Sequence, residues 1–284
     1  MRREYRAVAV FVGLLLASWA GWVVLFGDPP PAGVSIVHVE GSVRHITPTG
    51  VSAAAAGQAV APRDRLVAGP DGSAVLALGE DARLTLDASS AIEVIAVDDA
   101  GVRVELDGGR VRATVRPGGR RLEVAADGRG VTADDADFTV ARADDGTLAV
   151  AAERGTVRTN LPGVESIGAG QKLVAPRDRQ ALVRPASEAL LLAVAWPTET
   201  RTRADAVTVQ GSTEPGARVI FDGADGPVAV HGDGTGRFSA TVALREGQNV
   251  LRAHATNALG EVAEVTWQVV RDTQAPAIQV ELRP

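Results

Sequence analysis

The sequence contains no cysteine and few aromatic residues. Its 284 residues include five Phe, four Trp, one Tyr and a single Met. Without cysteine the chain can form no disulfide, thiolate nucleophile, zinc–thiolate site or iron–sulfur cluster. It also has only one lysine, Lys172, among 29 basic residues, a skew that we attribute to coding bias. Abundant Gly, Pro, Val, Ala and Leu instead indicate a turn-rich β protein that is not a cofactor enzyme.

The few rings are unevenly distributed. Half of them lie in the first 26 residues, which leaves five for the other 258 residues. Carbohydrate-binding β modules normally stack sugars on exposed rings. The sequence therefore disfavours peptidoglycan binding without excluding it.

One long apolar run lies near the amino terminus. The twenty residues from Ala7 to Phe26 carry no charge and follow three arginines. As a helix they would extend about 30 Å, the thickness of the hydrocarbon core of a bilayer. The positive-inside rule then places residues 1–6 in the cytoplasm and the bulk of the chain outside it. We expect a single-pass protein of the cytoplasmic membrane.

The alternative for this run is a cleaved signal peptide. Ser18-Trp19-Ala20 is a small-x-small site at which cleavage would follow Ala20. Apolar sequence continues for six residues beyond Ala20, and the bulky Trp22 follows closely. These features favour an uncleaved anchor.

The charge balance restricts the partners of the outer region. Residues 1–26 carry a net charge of +2, so the remainder carries −8 against a total of −6. A net-acidic region has no general electrostatic attraction to nucleic acid or to anionic lipid. We predict no nucleic-acid partner.

Alternating apolar and polar residues dominate the chain after a Pro-rich spacer at 27–33. Short runs at roughly ten-residue spacing, separated by Asp, Gly and Pro, predict antiparallel β structure. Residues 102–106 and 111–115 are predicted as two strands joined by a turn at Asp107-Gly108-Gly109. The segment 187–196 is ambiguous, because Ser187 is a possible helix cap and Pro197 ends either element.

We predict two β domains. The first occupies residues 34–184, a linker covers 185–203, the second domain covers 204–272, and a tail covers 273–284. Six or seven strands in about 70 residues would suit a small sandwich for the second domain.

Several short glycine-bounded elements follow one another in a fixed order over residues 36–175. They are Val37-His38-Val39-Glu40-Gly41-Ser42-Val43, Asp71-Gly72-Ser73-Ala74, Glu153-Arg154-Gly155-Thr156-Val157 and Gly168-Ala169-Gly170-Gln171. In this order they resemble the FecR-type domain. Asp135-Ala136 replaces the family's usual Gly-Thr, and Arg63 stands where a turn glycine is common.

Residues 204–272 are similar to bacterial immunoglobulin-like modules. Two of the stretches that carry the likeness are Thr213-Glu214-Pro215-Gly216-Ala217 and Asp233-Gly234-Thr235-Gly236-Arg237-Phe238. The two resemblances imply an all-β region, and the apolar run at 7–26 places this region outside the cytoplasm behind one amino-terminal transmembrane helix. It would combine a FecR-type antiparallel domain with an immunoglobulin-like sandwich.

The sequence predicts no catalytic, cofactor-binding or metal-binding residue. His38, Glu40 and His45 form the best potential metal cluster, but we interpret them as residues of a solvent-facing strand. Neither a Gly-x-Ser-x-Gly nor a Ser-x-x-Lys motif is present. The acidic positions are interpreted as solvated turns; they are Asp134, Asp135, Asp137, Asp144, Asp145, Asp222, Asp225 and Asp233.

We therefore expect a non-catalytic interaction or scaffold module of the bacterial envelope that binds one or more envelope proteins. The alternative is a sensor or regulator subunit that signals through a partner. The FecR regulator controls a sigma factor through a sizeable cytoplasmic region, whereas six residues precede the predicted span here. Six residues cannot form a folded binding surface, so a separate protein would have to supply the output.

Overall fold

A computed structural model describes residues 33–273, and this part of the chain is built from strands. No helix in these residues is long and apolar enough to cross a membrane. The predicted span at 7–26, most of the spacer and the tail from residue 274 lie outside the described residues.

The first domain contains sixteen strands that enclose one core. They are β1 (Val34–Glu40), β2 (Val43–Thr47), β3 (Gly50–Ala53), β4 (Ala59–Val60), β5 (Arg65–Ala68), β6 (Ser73–Leu78), β7 (Ala82–Leu86), β8 (Ala91–Asp98), β9 (Gly101–Val115), β10 (Arg121–Ala126), β11 (Arg129–Ala133), β12 (Ala136–Arg142), β13 (Leu148–Leu161), β14 (Val164–Gly168), β15 (Gln171–Ala175) and β16 (Leu182–Pro185).

Two long strands, β9 and β13, belong to both layers of this domain. Residues 101–108 of β9 pair with β8, whereas residues 109–115 pair with β7 and β12. In the same way, the beginning of β13 pairs with β12 and β15, and its end pairs with β11 and β14. The layers are therefore continuous with each other, and the core lies between them.

Strand β9 must fold back sharply where it passes between the layers. A straight strand of fifteen residues would span roughly 46 Å. Five residues connect Val115 to Arg121, which pairs with Gly101 at the other end of β9. Such a connection reaches about 21 Å at most. The two ends of β9 thus lie on the same side of the domain.

The prediction of a hairpin turn at Asp107-Gly108-Gly109 is wrong. The two halves of β9 lie in different layers and do not pair with each other. The backbone of Gly109 has a φ of 83°, and a Cβ placed there would lie 2.3 Å from Ser90 Oγ. Glycine is needed for the bend and for this close approach. Hairpins and interlayer bends use the same residue types, so the local sequence does not distinguish them.

Within the first domain, the strand directions differ in one place from the expected antiparallel pattern. Most pairs are antiparallel, but β9 and β10 run parallel over residues 101–105 of β9. The fold-back of β9 allows the chain to return beside its own beginning through a short connection. An all-β fold with no helix in the described residues otherwise agrees with the sequence prediction.

Aliphatic side chains fill the core of the first domain. The inward residues of the central strands, such as Leu84, Val104, Val140 and Val150, are fully buried. Each such side chain contributes about 1.5–3 kcal/mol relative to an exposed one. Phe138 is the buried ring of this core.

The second domain is a sandwich of a three-stranded and a five-stranded sheet. Phe221 and Phe238 lie in its core, and Trp196 stacks on Trp267 with ring centroids 5.4 Å apart. Its strands are β17 (Leu192–Ala195), β18 (Arg201–Thr202), β19 (Ala206–Thr213), β20 (Arg218–Gly223), β21 (Gly226–His231), β22 (Arg237–Ala243), β23 (Gly247–Thr256) and β24 (Val262–Arg271).

The segment predicted as a linker contributes to this sandwich. The helix that Ser187 would cap does not form, because Leu192–Ala195 pairs with β19 as an edge strand. Leu192, Val194 and Trp196 turn their side chains toward the core of the second domain. Alternating apolar residues thus decide this ambiguous stretch in favour of a strand.

The bend of β9 generates a stability prediction. We expect Gly109→Ala to lower the free energy of unfolding by about 2–4 kcal/mol, through a positive φ and the contact with Ser90. Gly118→Ala is the matched control, since Gly118 has a φ of 79° and open space around it. The control should cost about 1 kcal/mol. Urea denaturation of the full-length chain, followed by circular dichroism, compares them; equal losses would contradict the bend as the sensitive point.

Candidate functional site

The only lysine of the chain lies buried at the junction of the two domains. Lys172 is on β15, with 2% of its side chain exposed. Its Nζ donates hydrogen bonds of 2.8 Å to the Glu188 carbonyl oxygen and to Glu261 Oε2, and Glu214 Oε1 lies 3.8 Å away. A buried ammonium requires such partners to offset its lost hydration. Because Glu214 and Glu261 belong to the second domain, this charge joins the domains.

Asn257 orders the two carboxylates around Lys172. Its side-chain amide donates to Glu214 Oε2 and, at 2.7 Å, to Glu261 Oε2. Its Oδ1 accepts the backbone N–H of Glu261 at 2.9 Å. A single amide therefore separates two acidic groups that would otherwise repel each other beside one cation.

A second set of contacts closes the junction. Arg110 donates from Nη1 to the Leu259 carbonyl oxygen at 2.6 Å and from Nε to Asp87 Oδ2 at 2.6 Å. A Cβ on Gly260 would lie 2.1 Å from that Arg110 nitrogen, and one on Gly216 would lie 2.9 Å from Thr147. The loops of the second domain therefore fit closely on the outer face of the first.

Beside Lys172 the two domains leave an open cleft, which we call the interdomain cleft. Its volume is about 600 Å³. In the pairing of β15 with β16, Lys172 lies opposite Arg184 and Val174 lies opposite Leu182, so Leu182 and Arg184 share the face of the lysine. Its walls come from the 176–180 loop, the start of the linker and two loops of the second domain; they include Arg179, Leu191, Thr213 and Thr235.

The lining of the interdomain cleft combines apolar surface with positive charge. Leu182 and Leu191 are 46% and 56% exposed, which is high for large aliphatic residues. Arg184 approaches Glu188 at only 3.9 Å, and both side chains are about half exposed. Such an exposed pair is worth little and leaves the arginine available.

Asp127 holds the loop that carries one wall of the cleft. Its carboxylate accepts a hydrogen bond from Arg142 Nε at 3.0 Å and lies 3.4 Å from Arg177 Nη2. The hydrogen bond from Arg142, together with the charges of Arg142, Arg177 and Arg129, lowers the pKa of Asp127. The ionised form of Asp127 thus favours the observed position of the 176–180 loop.

The three residues considered as a metal cluster do not converge. His38 and Glu40 lie on the surface, with Nε2 and Oε1 3.4 Å apart. His45 was expected to face solvent, but it is buried and its Nε2 lies 2.8 Å from Asp64 Oδ2. The same oxygen of Asp64 accepts the Ala61 N–H, so His45 fixes the turn before β5. Alternation along β2 places His45 on the core face with Val43.

The acidic positions of the first domain are paired with arginines or turn backbone. Asp134 contacts Arg121 and Arg158, and the hydrogen bond from Arg158 is the main cause of its lowered pKa. Arg154 contacts both Asp135 and Asp137. Asp137 itself lies on β12 and not in a turn.

Other acidic positions stabilise loops through local hydrogen bonds. Asp145 accepts the Thr147 N–H at 2.8 Å, and Asp233 accepts the N–H groups of Thr235 and Arg237. Hydrogen bonds from Thr235 are the main cause of the lowered pKa of Asp233. Across residues 33–273, no group of three or more His, Asp or Glu residues is placed to hold a metal ion.

Sequence reasoning missed Lys172 as a functional residue. The scarcity of lysine, which makes Lys172 the single lysine of the chain, was attributed to coding bias. Its partners Glu214 and Glu261 are 42 and 89 residues away in the sequence. One signal was present, because a lysine amid apolar strand residues in an otherwise arginine-using chain is unusual. The partners of a buried charge are not visible in a local pattern.

One segment of the first domain matches a known protein family. The model of the family described as FecR protein matches residues 64–158. This segment of the first domain is similar to FecR proteins. Arg63, at the position where the family commonly has a turn glycine, adopts a φ of 75°. The FecR resemblance is thus confirmed, and the match ends before Lys172 and the interdomain cleft.

Two solved proteins that are similar to this chain differ widely from it in sequence, and no curated protein matches the chain. A candidate anti-sigma factor from Parabacteroides distasonis, represented by two crystal structures, is 17% identical with a TM-score of 0.38. That alignment covers 43% of this chain and 59% of the other. A Ca²⁺-stabilised adhesin with which an Antarctic bacterium binds ice is 11% identical, with a TM-score of 0.22 and coverage of 84% and 69%.

The buried network predicts a large effect of Lys172→Met. Removing the ammonium leaves the buried Glu214 and the partly buried Glu261 without their cation, so we expect a loss of about 3–5 kcal/mol in the free energy of unfolding. Arg184→Met, at an exposed cation nearby, should change it by less than about 1 kcal/mol. Adding Glu261→Gln to Lys172→Met should restore part of the loss. Thermal denaturation at pH 7 measures all variants; equal effects at positions 172 and 184 would argue against the network.

The lowered pKa of Asp127 predicts that the free energy of unfolding depends on pH. Its pKa is lower in the folded state, so its stabilising effect is present above the unfolded pKa, near 3.9, and is lost as pH falls through the folded pKa. Asp127→Asn should therefore destabilise the protein at pH 7 by about 1 kcal/mol or less, with a smaller difference at pH 3.

Arg142→Met tests the cause of this dependence, since it removes the main hydrogen-bond donor to Asp127. We expect it to reduce the difference between parent and Asp127→Asn at pH 7, measured by denaturation across pH 3–7. A difference that is constant across this range would contradict the assignment.

Proposed function

We propose that this protein is a membrane-anchored, extracytoplasmic FecR-domain protein that acts without catalysis, by binding another protein of the bacterial envelope. The observation that carries the proposal is the interdomain cleft. It places exposed leucines and arginines beside a junction held by a buried charge network. Such a surface suits recognition of another chain, since apolar contacts supply affinity and charges supply specificity.

The amino-terminal sequence supports the location. Residues 7–26 have the length and composition of a single membrane span, and the arginines before them favour a cytoplasmic amino terminus. The Pro-rich spacer at 27–33 would separate the first domain from the bilayer. The cleft would then face the extracytoplasmic compartment.

A regulatory role is the second candidate, and the FecR domain favours it. In that role the protein would sense or transmit a signal through the protein it binds, with the output supplied by a separate chain. Cell-wall binding receives less support. Trp196 packs against Trp267 and Phe221, so these rings contact one another and do not form an open platform.

In vivo photocrosslinking tests the proposal. A photoreactive amino acid replaces Leu191 in the cleft of the full-length chain, with Val262 as the matched control, because it is 62% exposed on the second domain. We expect a discrete crosslinked envelope protein from position 191 and weaker capture from position 262. A failure to crosslink any protein from exposed positions on both domains would contradict the proposed function.

The same experiment separates the two candidate roles. A version with residues 1–26 replaced by a cleavable signal peptide should still crosslink through position 191, because binding resides in the outer region. Full rescue of a deletion strain by this soluble form would exclude transmembrane signalling through this chain.

A further inference from the structure

The last strand of the first domain has an open edge. Among the described strands, β16 pairs only with β15. The Ala186 N–H donates to the Gly170 carbonyl oxygen, so in this antiparallel pair residues 182 and 184 also bond to β15. The N–H and carbonyl groups of Val183 therefore point away from the sheet. Pro185 occupies an outward-pointing position of the same kind, but it has no N–H and its carbonyl oxygen accepts the Glu188 N–H at 3.1 Å, so Val183 carries the outward donor and acceptor of this strand.

This edge borders the interdomain cleft. Leu182 and Arg184, the neighbours of Val183, lie on the cleft floor, and Val183 itself is 39% exposed. An added strand would bond to Val183 and place alternate side chains toward Leu182 on one face and Val183 on the other. A volume of about 600 Å³ lies within the usual range for ligand cavities and suits a short peptide segment.

The charges that line the interdomain cleft favour an occupant that carries negative charge. Arg179 and Arg184 are exposed cations, while Lys172 and Glu214 are engaged with each other and with Asn257 and Glu261. Glu188 offers only the weak contact to Arg184. The chain as a whole carries −6, so this positive lining is local. Exposed guanidinium groups bind carboxylates well, in two parallel hydrogen bonds.

We propose that the interdomain cleft binds an extended, acidic segment of a partner protein, which adds as a strand to the open edge of β16. Aliphatic side chains of the segment cover Leu182 and Leu191, and its Asp or Glu side chains pair with Arg179 and Arg184. The inference rests on the proposed function, because it assigns the surface and the ligand chemistry of that binding.

Selection from a displayed library of random octapeptides tests the ligand chemistry. The full-length chain is presented in nanodiscs of neutral phosphatidylcholine. We expect the enriched peptides to combine Asp or Glu with Val, Ile or Leu. The Arg179→Glu/Arg184→Glu variant should reverse the preference toward Lys and Arg. Enrichment without acidic residues, or unchanged enrichment by the variant, would overturn the inference.

Affinity measurements on the most strongly enriched peptide test the arginine contacts and the strand addition separately. By fluorescence anisotropy we expect Arg184→Glu to weaken binding at least about tenfold, whereas Arg44→Glu, at an exposed arginine on β2, should change it less than about twofold. Val183→Pro removes the outward N–H without removing a bond to β15, and should also weaken binding about tenfold. Val183→Thr keeps that N–H and should retain affinity within about threefold. Equal binding by the Pro and Thr variants would overturn strand addition.

The crosslinking experiment distinguishes failure of this inference from failure of the proposed function. If Arg179→Glu/Arg184→Glu abolishes crosslinking from position 191, the cleft is the binding surface. If a partner still crosslinks from other exposed positions with undiminished yield in that variant, the protein binds its partner elsewhere. The proposed function would then stand, and the assignment of the cleft would be wrong.

Discussion

The arrangement of the two domains depends on one buried positive charge. Lys172 stands on the first domain, and its ammonium is satisfied by the linker carbonyl of Glu188 and by carboxylates of the second domain. Moving the domains apart would leave a cation and two acids without their partners in a poorly hydrated site, which is unfavourable by several kcal/mol. The shape of the cleft beside the lysine follows from this constraint, because its walls belong to both domains.

The first domain can support that junction because its two layers are parts of the same strands. Strands β9 and β13 pass from one layer to the other, so neither sheet moves independently of the core they enclose. Without cysteine the chain has no disulfide between the layers, and the continuity of the backbone through both layers serves in its place. At the surface, Asp127 contacts Arg142 and Arg177, and these contacts stabilise the position of the loop that carries Arg177 and Arg179.

These features together suit the binding role that we propose for this protein. The first domain, which includes the FecR-like segment 64–158, supplies a stable body, the second domain closes one side of a cleft, and a short edge strand borders that cleft. Most edge strands are protected against pairing, and β16 is protected in part by its length and by Pro185. Its outward groups at Val183 lie between exposed leucine and arginine side chains, which would favour one class of extended segment over others.

The sequence by itself determined the class of structure and many strand positions. Period-2 alternation depends on near neighbours in sequence, so residues 102–106 and 111–115 were correctly predicted to be β structure, and both segments lie in β9. The tertiary structure alone decided that Gly108-Gly109 is an interlayer bend, that His45 faces Asp64 in the interior, and that Lys172 meets Glu261 across the domain junction. Each depends on residues distant in sequence, since a bend is defined by the layers it joins and a buried charge by the partners that surround it.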